Sequence, residues 1–557
     1  MVSFDLLVRG GLVVDGTAAA ARLADIGVAK GRVTVLPPGH PAAAPEVLDA
    51  EGMAVAPGFI DVHTHSDAVS LLPGRESGAS IGGPGEAAAR DPGEGPSGGP
   101  GAGALVWASV VQGVTTEICG NCGSSLFPAL PERLAEMRRE TRVTFGGEVG
   151  IFEDFAGFAA RHSALPRANH LTSLVGHGTL RAGVLGHADR PATPAELDTM
   201  CSLLDLALSQ GAAGLSTGLI YTPGTYASTD EVVALAAVAA RHGKPYVTHL
   251  RDEMSRVEEA LEEAVEIARR SGAALHVSHH KTAGKYAWGR TERTLPRIAE
   301  LRDSGMDLTC DVYPYTAGST SLAAMLPPWA NDGGFAALAV RLADPAERER
   351  MRRAIAEGVP GWENTVGNGG WDRISIACAP RHPELEGRTV ADLAASANAD
   401  PVDVAADLLL AEGGEVTIIS HSMVEEDVQR VLAAPYAMIG SDGVPKPGGR
   451  PHPRWAGTYP RVLGRYRRDL GLLSLETAVH KMTGMPAARF GLTDRGVIRD
   501  GAHADLVVFD PATVADRATF GEPLLPPVGI HAVIVAGEIV VHDGTPRAAR
   551  PGTVVRT

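Results

Sequence analysis

The two ends of the chain share a pattern of apolar and polar positions that its middle lacks. Residues 1–56 break into short apolar or alternating runs, DLLVRGGLVVDG, ADIGVAKGRVTVL and VLDAEGMAVAPG, punctuated by Gly and Asp. Such runs bounded by turn residues predict β-strands. The C-terminal stretches GVIRDGAHADLVVFD and GIHAVIVAGEIVVHDG repeat the pattern. Either end alone is too short to bury a core. Residues 1–56 and 490–557 are therefore expected to build one small β-domain together.

Between them, residues 57–489 alternate short apolar runs with helical periodicity, as a β/α sheet or barrel does. In the clearest helix, Val257, Ala260, Leu261, Ala264, Val265 and Ala268 recur on one face. Ser255 and Glu258 are spaced as a capping box before it, and Gly272 follows as a stop. The candidate strands are FIDVHTH, TTEICGNC, LTSLVGHG, AAGLSTGL, PYVTHL, ALHVSHHK, DLTCDVYPY and YAMIGSD. Eight is the number a closed (β/α)8 barrel needs, and each run ends in a polar or Gly-containing cluster, where such barrels keep their chemistry. The predicted fold class is α/β, a TIM-like (β/α)8 barrel plus a small β-sandwich built from both termini.

Two stretches break the alternation. Residues 73–103 are too rich in Gly and Pro to pack, so a flexible excursion is expected there. Residues 320–415 fall between the seventh and eighth candidate strands and exceed any ordinary connection. They predict an inserted subdomain above the barrel mouth.

Composition changes this picture little. The 557 residues are 44% apolar and 21% charged, ordinary values for a soluble protein. No apolar run is long enough to span a membrane, and MVSFDLLVRGG alternates like a strand rather than a signal peptide. A formal net charge of −16 argues against nucleic acid or another polyanion as partner. Five unevenly spaced cysteines do not form a disulfide framework. A cytoplasmic enzyme acting on a small molecule is the expectation.

The candidate chemistry sits at the strand ends. In DVHTH, His63 and His65 alternate onto one side, which in a barrel is the interior. His249 in YVTHL, His279 in HVSHHK and Asp442 in MIGSDG close three other runs. By the same alternation His279 and Lys281 share a face while His280 points away. One such residue would be an ordinary polar strand end; four histidines and an aspartate at these ends ask for a metal. The pair Cys119 and Cys122 in TEICGNCGSS has no second Cys/His pair nearby for a zinc knuckle, and GNCGSS is a Gly-rich turn rather than the helix start of a redox pair. Cys122, just past the strand end, is left as a single thiolate ligand, and Cys119 as a small buried filler. Imidazole, thiolate and carboxylate together suit zinc.

These stretches closely resemble the amidohydrolase superfamily and, within it, the N-acyl-D-amino-acid deacylase (D-aminoacylase) family. The resemblance is carried by PGFIDVHTHSD, QGVTTEICGNCG, LVGHGTLR, GLSTGLIYTPG, VTHLRDE, SHHKTAG, CDVYPYTAGST, IGSDG, HPRWAGTYPRVLG and ADLVVFDPATVADRATF, and so runs from about residue 55 to the C-terminus. It implies a metal-dependent hydrolase barrel with one tight zinc on Cys122, His249 and His279. A weaker second site would take His63, His65 and Asp442 and share Cys122. It further implies that Asp442 is the catalytic base, that Lys281, Tyr313 and Arg454 receive the α-carboxylate of an N-acylated D-amino acid, and that Tyr221 and Ser319 lie nearby. KPGGRPHPR also offers Arg450 in place of Arg454. The competing readings fare worse. A hydantoinase or dihydroorotase would bridge two metals with a carboxylated lysine, yet no lysine stands between Lys30 and Lys244. A non-catalytic scaffold barrel should show broken ligand positions, and all six stand.

Overall fold

The computed structural model describes residues 3–71, 102–145 and 149–557. The N-terminal strands β1 (Leu6–Val13), β2 (Arg22–Ala29), β3 (Arg32–Leu36), β4 (Glu46–Asp49) and β5 (Ala54–Pro57) lead into β6 (Phe59–Asp61), β7 (Val114–Cys119) and β8 (His170–Ser173). β8 continues past Leu174 into β9 (Val175–Gly176) and is followed by β10 (Leu215–Gly218), β11 (Tyr246–His249), β12 (Leu275–Val277) and β13 (Leu308–Val312). Next come β14 (Gly318–Ser321), β15 (Ile374–Cys378), β16 (Thr417–Ser420) and β17 (Ala437–Ile439). The last strands are β18 (Leu506–Phe509), β19 (Ile530–Val535), β20 (Glu538–His542) and β21 (Thr545–Pro546).

The strands β6, β7 and β8 pair in parallel, and β9, β10, β11, β12, β13 and β17 continue the order. A parallel bridge between Thr64 and Gly443 closes the ring, with the Asp442 amide donating to the His63 carbonyl (2.7 Å) and the His65 amide to the Gly443 carbonyl (2.9 Å). The chain thus forms an eight-stranded α/β barrel. Its last seam joins the two segments that carry His63, His65 and Asp442.

Strands from both ends of the chain form one nine-stranded sheet, in the order β21-β20-β19-β18-β5-β1-β2-β3 with β4 beside β1. Side-chain alternation explains why its central strands are apolar throughout. Leu506 and Val508 of β18 join Leu6, Val8, Ile26 and Ile534 in a core private to this sheet. Their neighbours Val507 and Phe509 face the other way, into the core shared with the barrel. No helix among the described residues is long and apolar enough to cross a membrane.

Between β13 and β17, residues 318–420 form a three-stranded sheet, β14-β16-β15, with helices around a core of their own that includes Leu338, Met351, Ile376 and Leu409. Of the Gly/Pro-rich excursion expected at 73–103, all but the last two residues lie outside the described ones; 102 and 103 open the helix Ala102–Trp107. The helix Val257–Ser271 buries the expected face and stops at Gly272, whose φ of +74° suits a residue without a Cβ. Its expected capping box does not form. Asp252 instead accepts from the amides of Met254 (2.8 Å) and Arg256 (3.0 Å), while Glu258 pairs with Arg290 (2.7 Å). The turn before the helix is shaped by Asp252, and it carries Glu253 to the barrel mouth.

One buried carboxylate ties the terminal sheet to the barrel. Asp505, just before β18, accepts from the Ala536 amide (2.8 Å), contacts His170 Nε2 of β8 (3.2 Å) and pairs with Arg495. Burial pushes its carboxyl up, but His170 and Arg495 outweigh that and hold it well below the usual carboxylate range. Removing one partner of a buried pair costs about 3–5 kcal/mol, so Asp505→Ala should lower the urea midpoint markedly at pH 7. Because the folded-state value is depressed, that stability is present above about pH 4 and fades as the pH falls below it. The gap between wild type and variant should therefore shrink below pH 4; a gap independent of pH would refute the linkage.

Candidate metal centre

Six side chains singled out by sequence meet at the C-terminal mouth of the barrel. His63 and His65 follow β6, Cys122 follows β7, His249 ends β11, His279 follows β12 and Asp442 follows β17. Cys122, His279 and Asp442 have φ values of +51°, +34° and +48°. Non-glycine residues rarely adopt this left-handed region, and they do so mostly where surrounding structure enforces it. The Gly-rich CGNCG turn serves this purpose. Gly120 and Gly123 also have positive φ, and a Cβ on Gly123 would stand 2.8 Å from the Gly218 amide nitrogen. Strand alternation therefore does not reach His279 or Lys281, since β12 ends at Val277. A left-handed turn places them instead, and His280 does point away, to Thr294 (2.8 Å).

The Cys122 thiol lies 3.3 Å from His63 Nε2 and 3.4 Å from His279 Nε2. Asp442 Oδ1 lies 3.4 Å from Nε2 of both His63 and His65. One donor atom each from His63, Cys122, His279 and Asp442 falls within 4.8 Å of the others; His249, Glu253 and His279 form a second such group. Burial raises the Cys122 thiol, but His63 and His279 outweigh it and hold it well below its ordinary value. Cys119 contrasts in every respect. It ends β7, contacts Ser66 (3.3 Å), and burial pushes its thiol well up.

Two residues missed by sequence reasoning explain how the imidazoles are aimed. Asp311, inside β13, lies 3.3 Å from His63 Nδ1 and 2.9 Å from His276 Nε2, and accepts from the His279 amide (2.9 Å). Glu253 lies 3.0 Å from His279 Nδ1 and 3.3 Å from His249 Nε2. At His63 the Asp311 carboxylate engages Nδ1 and so presents Nε2 to the centre, the arrangement by which metal-binding imidazoles are oriented, while His279 Nδ1 lies between Glu253 and Lys281 with its Nε2 facing Cys122. The signal was present in the chain: an aspartate inside the apolar run DLTCDV is costly unless paired.

The carboxylate-binding candidates gather on one side. The Arg454 guanidinium sits 4.7 Å from the Tyr313 ring centre and pairs with Asp442 Oδ2 (2.8 Å). Lys281 Nζ lies 5.7 Å from the same ring and contacts Glu253 (2.6 Å) and His279 Nδ1 (2.7 Å). Arg450 is exposed, whereas Arg454 is fully buried in the site. Ser319 gives its carbonyl to Arg454 (3.4 Å) while its hydroxyl donates to the Ile418 carbonyl (2.9 Å). Tyr221 sets its ring edge against His249 and accepts from Thr320 (3.2 Å). All open into a cavity of about 450 Å³.

The donors fit a transition-metal ion. They combine a depressed thiol, imidazoles and a carboxylate, and neither buried ring nitrogen of His249 has a hydrogen-bond partner of ordinary geometry. A β/α barrel bearing such a cluster at its C-terminal strand ends, with a β-domain from both termini, defines the class of metal-dependent amide hydrolases. The chain belongs to the amidohydrolase family, whose model matches residues 154–541, and within it to the D-aminoacylase group. It is 39% identical over 542 residues to a D-aminoacylase of Alcaligenes xylosoxydans xylosoxydans, covering 97% of this chain and 95% of the relative. An N-acyl-D-aspartate deacylase of the same organism is 36% identical over 553 residues, covering 99% and 95%. Among solved structures, an N-acyl-D-glutamate deacylase from Bordetella bronchiseptica, complexed with zinc and a phosphonate mimic of the tetrahedral intermediate, matches with a TM-score of 0.80. That pair is 36% identical and covers 100% of each chain.

The different surroundings of the two cysteines make them separable. Cys122→Ala should lose bound metal and activity together, while Cys119→Ala should keep both, as read by elemental analysis of the purified variants. Equal loss in the two would mean that they act as a pair.

Proposed function

We propose that this chain is a zinc-dependent N-acyl-D-amino-acid deacylase, splitting a linear amide into a carboxylate and a free D-amino acid. The observation that carries this reading is one juxtaposition. Two imidazole Nε2 atoms and the Asp442 carboxylate converge around a single thiol, beside the buried Arg454 and the half-buried Lys281, which flank Tyr313. Cys122, His249 and His279 would hold the tighter ion, and His63, His65 and Asp442, sharing Cys122, a weaker one. Zinc held there would polarise the amide carbonyl as a Lewis acid and would lower the pKa of a bound water to about 7.

The protein's own groups do the rest. Arg454 and Lys281 receive the substrate's α-carboxylate, the former with a planar fork suited to it, and Tyr313 lies beneath both. This fixes the scissile carbonyl over Cys122. Asp442 takes the water's proton on one side of the amide and returns it to the departing nitrogen. Asp311 keeps Nε2 of His63 turned inward throughout, while Glu253 and Lys281 flank Nδ1 of His279. The preference for D substrates rests on the substrates for which the relatives are named.

Removal of metal by a chelator should abolish amine release from N-acetyl-D-amino acids, and about one equivalent of zinc should restore it. Equal turnover of N-acetyl-L-amino acids would overturn the D assignment. Lys281→Met and Arg454→Met should retain metal yet lose tens- to thousands-fold in kcat/KM, the cost of about 2–5 kcal/mol for a broken charged contact. Substrates with a neutral amide in place of the carboxylate should be poor for the wild type and scarcely worse for either variant. Full activity in the variants would remove both residues from the carboxylate clamp.

A further inference from the structure

The cavity above the cluster is larger than the acetyl group of a minimal substrate needs, and part of its wall lies on the side of the barrel opposite Lys281 and Tyr313. In the ring of eight strands, Lys281 and Tyr313 follow β12 and β13, while Cys122 and the helix His177–Leu185 follow β7 and β9. The two pairs stand four places apart, across the barrel from each other. A substrate whose carboxylate is held by Lys281 and Arg454, and whose carbonyl lies over Cys122, must run its acyl chain onward to the β7–β9 side. The α-side-chain leaves the substrate earlier, beside the clamp.

That far side is an apolar passage. The helix His177–Leu185 begins against the turn that carries the thiol: the Thr179 amide donates to the Gly123 carbonyl (3.1 Å), and the Ser125 amide to Thr179 Oγ1 (2.9 Å). One turn along the helix from Thr179, Ala182 lines the cavity, as do Met137, Ile151, Phe335 and Leu338, together with the polar Ser124, Thr141 and His187. Met137 rests by Gly183, where an added Cβ would lie 3.8 Å from its sulfur. Phe335 and Leu338 come from the inserted subdomain, which is fastened here by the Gly333 amide on the His187 carbonyl (3.1 Å) and the Asp189 amide on Asp332 (2.8 Å). Met137, Ile151, Ala182 and Leu338 are buried and bring no charge to the passage.

We infer that this passage from Thr179 past Ala182 and Met137 to Leu338 is an acyl-chain subsite, and that the enzyme's substrates are D-amino acids bearing apolar acyl groups longer than acetyl. The inference rests on the deacylase reading. In the reaction, water's oxygen bonds to the acyl carbon, the C–N bond breaks, the amine takes up a proton, and a medium-chain carboxylate leaves alongside the D-amino acid. A methylene buried on an apolar wall is worth roughly fourfold in binding, so the preference should be graded with chain length.

The test uses the zinc-loaded full-length enzyme and one D-amino acid, the best of its N-acetyl substrates, offered with acetyl, butanoyl and hexanoyl groups. The expected result is a rise in kcat/KM of roughly two- to fourfold per added methylene. Ala182→Trp and, separately, Leu338→Trp should each lower the hexanoyl-to-acetyl ratio at least tenfold at wild-type metal content. Because the readout is a ratio within one preparation, partial misfolding does not imitate it, and two sites guard against the loss of either variant. Turnover that is flat or falling with chain length, or ratios untouched in both variants, would overturn the subsite while leaving the deacylase reading intact. Absence of turnover on every N-acyl-D-amino acid, acetyl included, would overturn both.

Discussion

Everything at the barrel mouth depends on three residues held in a backbone conformation they would not choose. Cys122, His279 and Asp442 are left-handed, with φ between +34° and +51°. Each such residue costs on the order of 1–3 kcal/mol. The reward is convergence, because an extended strand sends its last side chains up and outward, whereas a left-handed turn folds them over the barrel axis. The barrel can enforce this because its strand ends are bonded to one another. The Asp442 amide is pinned to His63 and the His65 amide to Gly443, so the closing seam sets the conformation of the residues it joins.

The second demand on the fold is charge. Asp311, Asp442 and Glu253 are buried within a few ångströms of Lys281, Arg454 and five imidazoles. Buried charges persist only when paired, and here each pairing also has a geometric result. Asp311 turns Nε2 of His63 inward, Glu253 draws Lys281 against His279, and Arg454 steadies Asp442 from the side away from the histidines. On the deacylase proposal, the positions of the cations also set the direction in which a bound substrate lies.

Two accessory units supply what the barrel lacks. The sheet built from both termini buries one face in itself and lends the other, through Val507 and Phe509, to the barrel core. Residues 318–420 hold their own core, and through Ser319, Phe335, Leu338 and Glu363 they line the cavity above the ligands. Substitutions there can reshape the cavity without disturbing the His, Cys and Asp cluster below.

How much of this was legible in the chain divides along physical lines. Period-two runs at both ends, eight apolar runs closing in polar clusters, and one thiol just past a strand end were readable because they are local: spacing and residue type determine them. Cys122 could be preferred over Cys119, and His279 over His280, from a few neighbours. Other features needed the folded chain. Asp311 and Glu253 have roles only because His63 and His279 arrive from other strands, so no local pattern marks them beyond a charge in an apolar run. Arg450 and Arg454 stand four residues apart, the first in a loop and the second opening the helix Arg454–Arg461, and only packing buries Arg454 on Tyr313 and leaves Arg450 exposed. The Ser255–Glu258 cap failed for a related reason: Asp252 bonds the same turn more closely while that turn delivers Glu253. Sequence by itself determined the elements, the ligand types and the strand ends that hold them. The direction of the His63 imidazole, the burial of Arg454 beside Tyr313, and the placing of Phe335 and Leu338 in the cavity wall were decided by tertiary structure alone, because each depends on distances between residues far apart in the chain.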